Sequence, residues 1–187
     1  SDFLEVARIL SQQSDFQETV RLVAQKSTQY LKADVALILM LNPDTRKTVK
    51  TIFKDGKSIE KKEYRDIHIH VGGWIIDNKK SFLSQDIQKD NRFRKGLFNK
   101  IPIKSVAGAP LVIEETIIGA IILLFRESKL VSDPELLNSL EDMAVISAPY
   151  LRNTQKIREY FILDLPETSL LVKYNNAGLY GKSPRFI

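Results

Sequence analysis

The stretch SVAGAPLVIEETIIGAIILLF, residues 105–125, decides the fold. It reads as two apolar strands, Ser105–Ile113 and Thr116–Phe125, with the acidic pair Glu114 and Glu115 at the turn between them. Gly119, inside the second strand, predicts a close backbone or side-chain approach, because nothing stands out from its Cα. Pro110 cannot donate to a ladder and therefore predicts a strand end or a sheet edge.

Upstream, Ala33 to Leu41 is another apolar run, and Lys47 to Lys54 is its return strand after a turn at Asn42, Pro43 and Asp44. Asp55 and Gly56 end that hairpin, and the charged stretch from Lys57 to Arg65 fits a loop or a frayed edge. Asp66 to Val71 alternates polar and apolar residues, so a third strand is expected there, closed by Gly72 and Gly73. On a strand, His68 and His70 would share one face. Trp74 to Lys79 fits a short helix and Phe82 to Ile87 a short extended segment. Residues 88–103 fit a loop with one or two helical turns.

The flanks are helical. Phe3, Leu4, Ala7 and Leu10 recur at helical spacing. Ser14 is expected to cap the next helix, with Gln17 completing a capping box. Phe16, Val20, Val23, Ser27 and Tyr30 then mark one face as far as about Leu31. Asp133 and Pro134 form a good helix start. Leu136, Leu137, Leu140, Met143, Ala144 and Ile146 carry that helix towards Phe161, with a kink expected at Pro149. The order predicts an α+β fold: a central antiparallel sheet, N- and C-terminal helices on one face, and a loop-covered pocket on the other. Residues 1–161 form the expected domain and 162–187 an expected linker.

With 187 residues, 43% of them hydrophobic, the chain can build an ordinary core. It contains no cysteine, which removes disulfides, thiolate zinc sites and cysteine nucleophiles together. The net charge is +5 and the isoelectric point about 9.3. Lys and Arg are scattered, and their densest cluster, Lys57 to Arg65, is interleaved with Glu60 and Glu63. That fits a solvated basic surface, and no direct nucleic-acid contact by this chain is expected. No apolar run approaches the roughly 18 residues of a membrane span, and the N-terminus lacks the order of a signal peptide. A cytoplasmic chain without a membrane partner is expected.

Five pieces carry a resemblance. They are Gly73-Trp74-Ile75-Ile76, the segment from Phe82 to Ile87, Asp90-Asn91-Arg92-Phe93, the strand from Ser105 to Leu111, and Ile118-Gly119-Ala120-Ile121. In this order the region from about Phe3 to Phe161 resembles the GAF family of bacterial sensory domains. The resemblance implies a pocket for a small molecule. Its candidate ligand-binding residues are His70, Trp74, Phe82, Ser84, Asp86, Asp90, Arg92, Phe93 and Ser105. A mostly apolar cleft with a few polar groups is how such pockets are built. An equal reading has Asp86 and Asp90 capping turns, with Arg92 paired to one of them. Trp74 fits either a pocket lid or packed core.

Sharper assignments find less support. His68 and His70 would need a third ligand such as Asp86 or Glu63 to hold a metal or haem, so no metal site and no cofactor is assigned. Cyclic-nucleotide GAF domains carry an Asn-Lys, Phe, Asp signature after the last strand. Here Asn78, Lys79, Phe82 and Asp86 have that spacing but precede the central strand. One GAF branch reduces methionine sulfoxide with cysteine thiols, which this chain lacks, so no enzyme activity is expected.

The tail LYGKSPRF, residues 179–186, resembles the opening of the AAA+ ATPase domain in sigma-54-dependent transcriptional activators. That resemblance implies a regulatory half of a larger activator. A homodimer is expected from apolar residues at Phe3, Leu4, Leu140, Ile146 and Leu151. Competing readings are a ligand-free dimerisation or interaction module, its pocket filled by Trp74, Phe82, Phe93 and Phe98, or the sensor of a histidine kinase or cyclase.

Overall fold

The computed structural model describes residues 2–42, 44–59, 62–129 and 133–162. Two helices lead, α1 (Asp2–Ser11) and α2 (Phe16–Leu31), followed by β1 (Val35–Leu41), β2 (Thr48–Lys54) and β3 (Lys57–Ile59). A short 3₁₀ turn and a π-helical turn (Ile67–Val71) lead into α3 (Gly72–Asn78). Then come β4 (Phe82–Ser84), β5 (Ser105–Ile113), β6 (Thr116–Phe125) and the long α4 (Leu136–Ile162). The strands form one six-stranded antiparallel sheet in the order β3-β2-β1-β6-β5-β4.

The hairpin of residues 105–125 forms as expected. Glu114 and Glu115 take φ of 49° and 69°, and a two-residue turn with both φ positive matches the twist of the strands it joins. A register shift beside Leu111 and Val112 leaves Ile118 as an extra residue. Next to it, a Cβ at Gly119 would stand 2.1 Å from the Leu39 carbonyl oxygen, so only glycine fits where β6 meets β1. Pro110 lies inside β5 rather than at its end. β4 pairs only with Val106–Gly108, so Pro110 sits where the flank of β5 is open.

The two sheet faces build separate cores. On one face Ala36, Ile38, Met40, Ala107, Ala109, Ile121 and Leu123 meet α2 and α4 through Val20, Val23, Leu140, Met143 and Leu151. On the other, Leu37, Val106, Ile122 and Leu124 meet Ile67, Val71, Ile75, Phe82, Phe98 and Ile101. The second face is thus covered by the π turn, α3 and the long loop before β5. Gly108 belongs to this packing: a Cβ there would come within 2.5 Å of Ile75 Cδ1.

Two expectations are corrected, and the basis of a third narrows. The cap of α2 is Asp15, whose carboxylate accepts from the Glu18 amide at 2.8 Å. Ser14 lies one residue too early, and a charged acceptor three residues before that amide outcompetes a hydroxyl. Residues 66–71 are helical rather than a strand, because Ile67 and Val71, four apart, are both fully buried against the sheet. The dimer argument also contracts. Leu140 and Leu151 are fully buried within the domain and Phe3 and Ile146 pack against the same core, whereas Leu4 and Val145 are each 72% exposed. α4 runs helical through Pro149, and the expected linker lies, beyond Ile162, outside the described residues.

Candidate functional site

Six of the candidate residues converge at one end of the loop-covered face. β4 alternates Phe82 and Ser84 inward and Leu83 outward. α3 supplies Trp74, whose ring meets Phe82 edge-on at 5.3 Å between centroids. Phe93 tilts against Phe82 at 5.8 Å and meets Phe98 edge-on at 5.3 Å. The Arg92 guanidinium lies over this cluster, 4.1 Å from the Phe82 centroid and 5.3 Å from that of Trp74, so its cation faces two ring quadrupoles.

Arg92 is held on its polar side as well. Its Nε and Nη2 donate to both carboxylate oxygens of Asp90, at 3.0 and 2.7 Å, and Nη2 also donates to the Leu83 carbonyl at 2.7 Å. Asp90 further accepts from the Arg92 amide and from the Ser84 hydroxyl. The Arg92 side chain beside it holds the Asp90 carboxyl down to about 2. The arrangement locks the loop before β5 onto β4 and leaves Arg92 partly exposed at the rim.

The remaining candidates lie elsewhere. Asp86 caps the 3₁₀ turn Ile87–Lys89 by accepting from the Gln88 amide at 3.1 Å. His70 is exposed and reaches the cluster only through Phe98, at 6.5 Å between rings. Ser105 belongs to the opposite face. It pairs with Phe125, whereas Val106 pairs with Ser84, and partners across a ladder share a face. Its buried hydroxyl donates to the Glu127 carbonyl and accepts from the Lys129 amide, tying the start of β5 to the chain after β6.

Two polar residues of this face were not among the candidates. Lys50, in the middle of β2, pairs with Leu39 and is half-buried. Its Nζ donates to the Thr48 hydroxyl at 2.6 Å. Burial, aided by the Arg65 cation, pushes its amine down to about 7. His68 is 2% exposed and its Nε2 has no partner. Burial first, and then the Lys50 charge, push its imidazole down to about 3, against the pull of the Ile38 and Thr51 carbonyls. The two histidines thus diverge, one inward and one outward. No group of His, Cys, Asp and Glu among the described residues could hold a metal ion. A shallow groove of about 530 Å³ also opens beside β4, between Lys79, Ser81, Pro110, Val112, Glu141 and Val145.

The profile of the GAF domain family matches residues 13–147. The chain is a GAF domain.

Solved structures of GAF domains agree with it in fold. One from a phosphoenolpyruvate-protein phosphotransferase of Coxiella burnetii has 11% identity and a TM-score of 0.61, with 84% of this chain and 97% of that one covered. One from a methyl-accepting chemotaxis protein has 14% identity and a TM-score of 0.57, covering 83% and 98%. The free methionine-R-sulfoxide reductase of Neisseria meningitidis, solved with its substrate, has 10% identity and a TM-score of 0.61, covering 82% and 88%. At such identities the likeness establishes the fold alone. Nothing among curated proteins matches the chain. GAF domains are generally regulatory, although the reductase shows that the fold also serves an enzyme. Among the described residues no helix is long and apolar enough to cross a membrane.

Proposed function

We propose that this GAF domain is the signal-sensing part of a larger regulatory protein. In this reading a small molecule bound on the loop-covered face controls an attached output domain, that of a sigma-54-dependent transcriptional activator. The observation that carries it is the bond from the Ser81 hydroxyl to the Glu141 carboxylate, 2.6 Å long. It joins the residue before β4 directly to α4, so the element that presents the aromatic cluster is tied to the helix that leads out of the domain. A ligand with different affinities for two positions of β4 shifts α4 by that difference and no more. The residues 179–186 support this choice of output domain, although they lie outside the described residues. The complete lack of cysteine favours regulation over the reductase chemistry. Homodimerisation in the same reading uses the exposed Leu4 and Val145.

The test uses the full-length protein. Removing residues 2–162 is expected to change the basal ATPase rate of the output domain about tenfold, the usual scale of such coupling. Ser81→Ala combined with Glu141→Gln is expected to abolish signal response while leaving that basal rate intact. An ATPase rate indifferent to the deletion overturns the reading. The second reading, a ligand-free interaction module, is favoured by one observation: Trp74, Phe82, Phe93 and Phe98 already fill their end of the cleft with each other.

A further inference from the structure

The other end of the same face is unlike the aromatic end, because a buried ring nitrogen there is left without a hydrogen bond beside a lysine. Among the described residues Lys50 takes part in none of the ion pairs, which join Glu5 to Arg8, Glu18 to Arg21, Asp90 to Arg92 and Asp34 to Arg126. The charged groups that act on Lys50 and on its neighbour His68 are cations, Arg65 and Lys50 itself. Thr48, two residues from Lys50 on the same side of β2, is buried and its hydroxyl is the partner of Lys50 Nζ. His68 presents a fully buried ring nitrogen with no hydrogen bond. An unbonded polar atom at that depth costs about 1–3 kcal/mol, and an uncompensated amine beside it adds to the deficit.

His68 belongs to the π-helical turn Ile67–Val71. Such turns are rare and frequently mark functional positions. Lys50 is only half-buried, so part of its side chain reaches solvent. Charge, unmet hydrogen bonding and access therefore coincide at one place.

We propose that Lys50, Thr48 and His68 form the recognition end of the ligand site and take the oxyanion, carboxylate or phosphate, of a small molecule. The anion supplies the counter-charge that Lys50 lacks among the described residues, and the same ligand supplies a partner for His68 Nε2. This inference rests on the regulatory reading only in assigning the ligand to a signal; the binding itself stands or falls alone. An opposite charge favours the protonated amine. Binding therefore raises the Lys50 pKa from about 7 and takes up protons near neutrality; for a carboxylate it tightens as the pH falls from 8 towards 6, whereas phosphate loses charge of its own over that range. His68, already neutral throughout that range at about 3, does not set this dependence. Among the described residues, the charged group that acts on Lys50 is Arg65.

Succinate and inorganic phosphate are suitable probes, titrated by calorimetry against the full chain at fixed ionic strength, with chloride as the control. Fixed ionic strength matters because exposed cations bind any salt weakly. At least one probe is expected to bind, and which one binds identifies the oxyanion as carboxylate or phosphate. Lys50→Met is expected to weaken binding at least ~10-fold, as loss of a charge-assisted hydrogen bond should, whereas Lys54→Met on the same strand is expected to leave it unchanged. Because Lys50→Met acts at a buried site, a second measurement uses the unaltered protein: ¹⁵N-detected titration of the Lys50 amine, whose pKa is expected to rise with the bound probe. Binding of neither probe above the chloride control, or a Lys50 pKa that does not move, overturns the proposal. Neither result touches the deletion test of the output domain, so the two readings fail separately.

Discussion

The two faces of the sheet are built from the same strands and finish their chemistry differently. The helix-covered face is mostly apolar, with side chains from α2 and α4 packed against small residues such as Ala36, Ala107 and Ala109, although the buried Ser147 hydroxyl on α4 has no hydrogen-bond partner. The loop-covered face is also buried, yet among the described residues it retains a histidine nitrogen without a hydrogen bond, a lysine without a counter-ion and an arginine held over two rings. Charged groups on the loop-covered face give some stability up, which is how binding sites are commonly distinguished from scaffold.

The comparison breaks most severely at the line where the faces share their backbone. Gly119→Ala places a Cβ 2.1 Å from the Leu39 carbonyl, so a loss on the order of 4 kcal/mol is expected in chemical denaturation, at the high end for overpacking. A loss under about 1 kcal/mol would mean that β1 and β6 can separate there without cost. Next comes the helix face alone. Leu140→Ala empties a fully buried site between α4 and the sheet and is expected to cost about 3 kcal/mol, with no effect on oxyanion binding.

His68→Leu sharpens the contrast in the opposite direction, because it should stabilise. The folded imidazole titrates at about 3 against 6.5 when free. The unfolded chain therefore takes up a proton first as the pH falls below 6.5, and stability drops from there towards pH 3. Removing the group should recover about 2 kcal/mol at pH 5 and flatten that part of the profile, read from urea midpoints across pH. Lys50 acts in another window. Its folded value of about 7 lies below the free 10.5, so stability rises with pH between those values, and Lys50→Met should remove that rise. An unchanged profile in both variants would show that neither group is desolvated on folding. The smallest effect expected is that of Arg92→Ala, about 1 kcal/mol from a partly exposed ion pair and its ring contacts, measured by thermal denaturation.

Particular residues explain what could be read beforehand. The hairpin of residues 105–125 was legible because a continuous apolar run with a two-residue acidic turn admits few alternatives. The segment from Asp66 to Val71 misled because six alternating residues fit a strand as well as a buried helical turn, and only the contact of Ile67 and Val71 with the sheet decides. Lys50 gave no signal, since a lysine on a return strand ordinarily faces water and its burial depends on a π turn folded over it from elsewhere in the chain. Ser105 could have been excluded: parity along β5 sets it with Ala107 and opposite Val106 and Gly108. The convergence of Trp74, Phe82, Ser84, Asp90, Arg92 and Phe93 followed the order of the family pieces, whereas the pairing of Asp90 with Arg92 was one of two arrangements left open.

The shortness of β4 has a consequence outside any ligand site. It ends its pairing at Gly108, and the flank of β5 beyond that point carries bare backbone next to exposed Val112 and Val145. Such a rim is where a stray strand from another molecule would add itself. Pro110 stands on it, and prolines at sheet margins discourage that recruitment. The residue that looked like a flaw in the strand thus lowers the tendency of an incompletely covered sheet to recruit other strands.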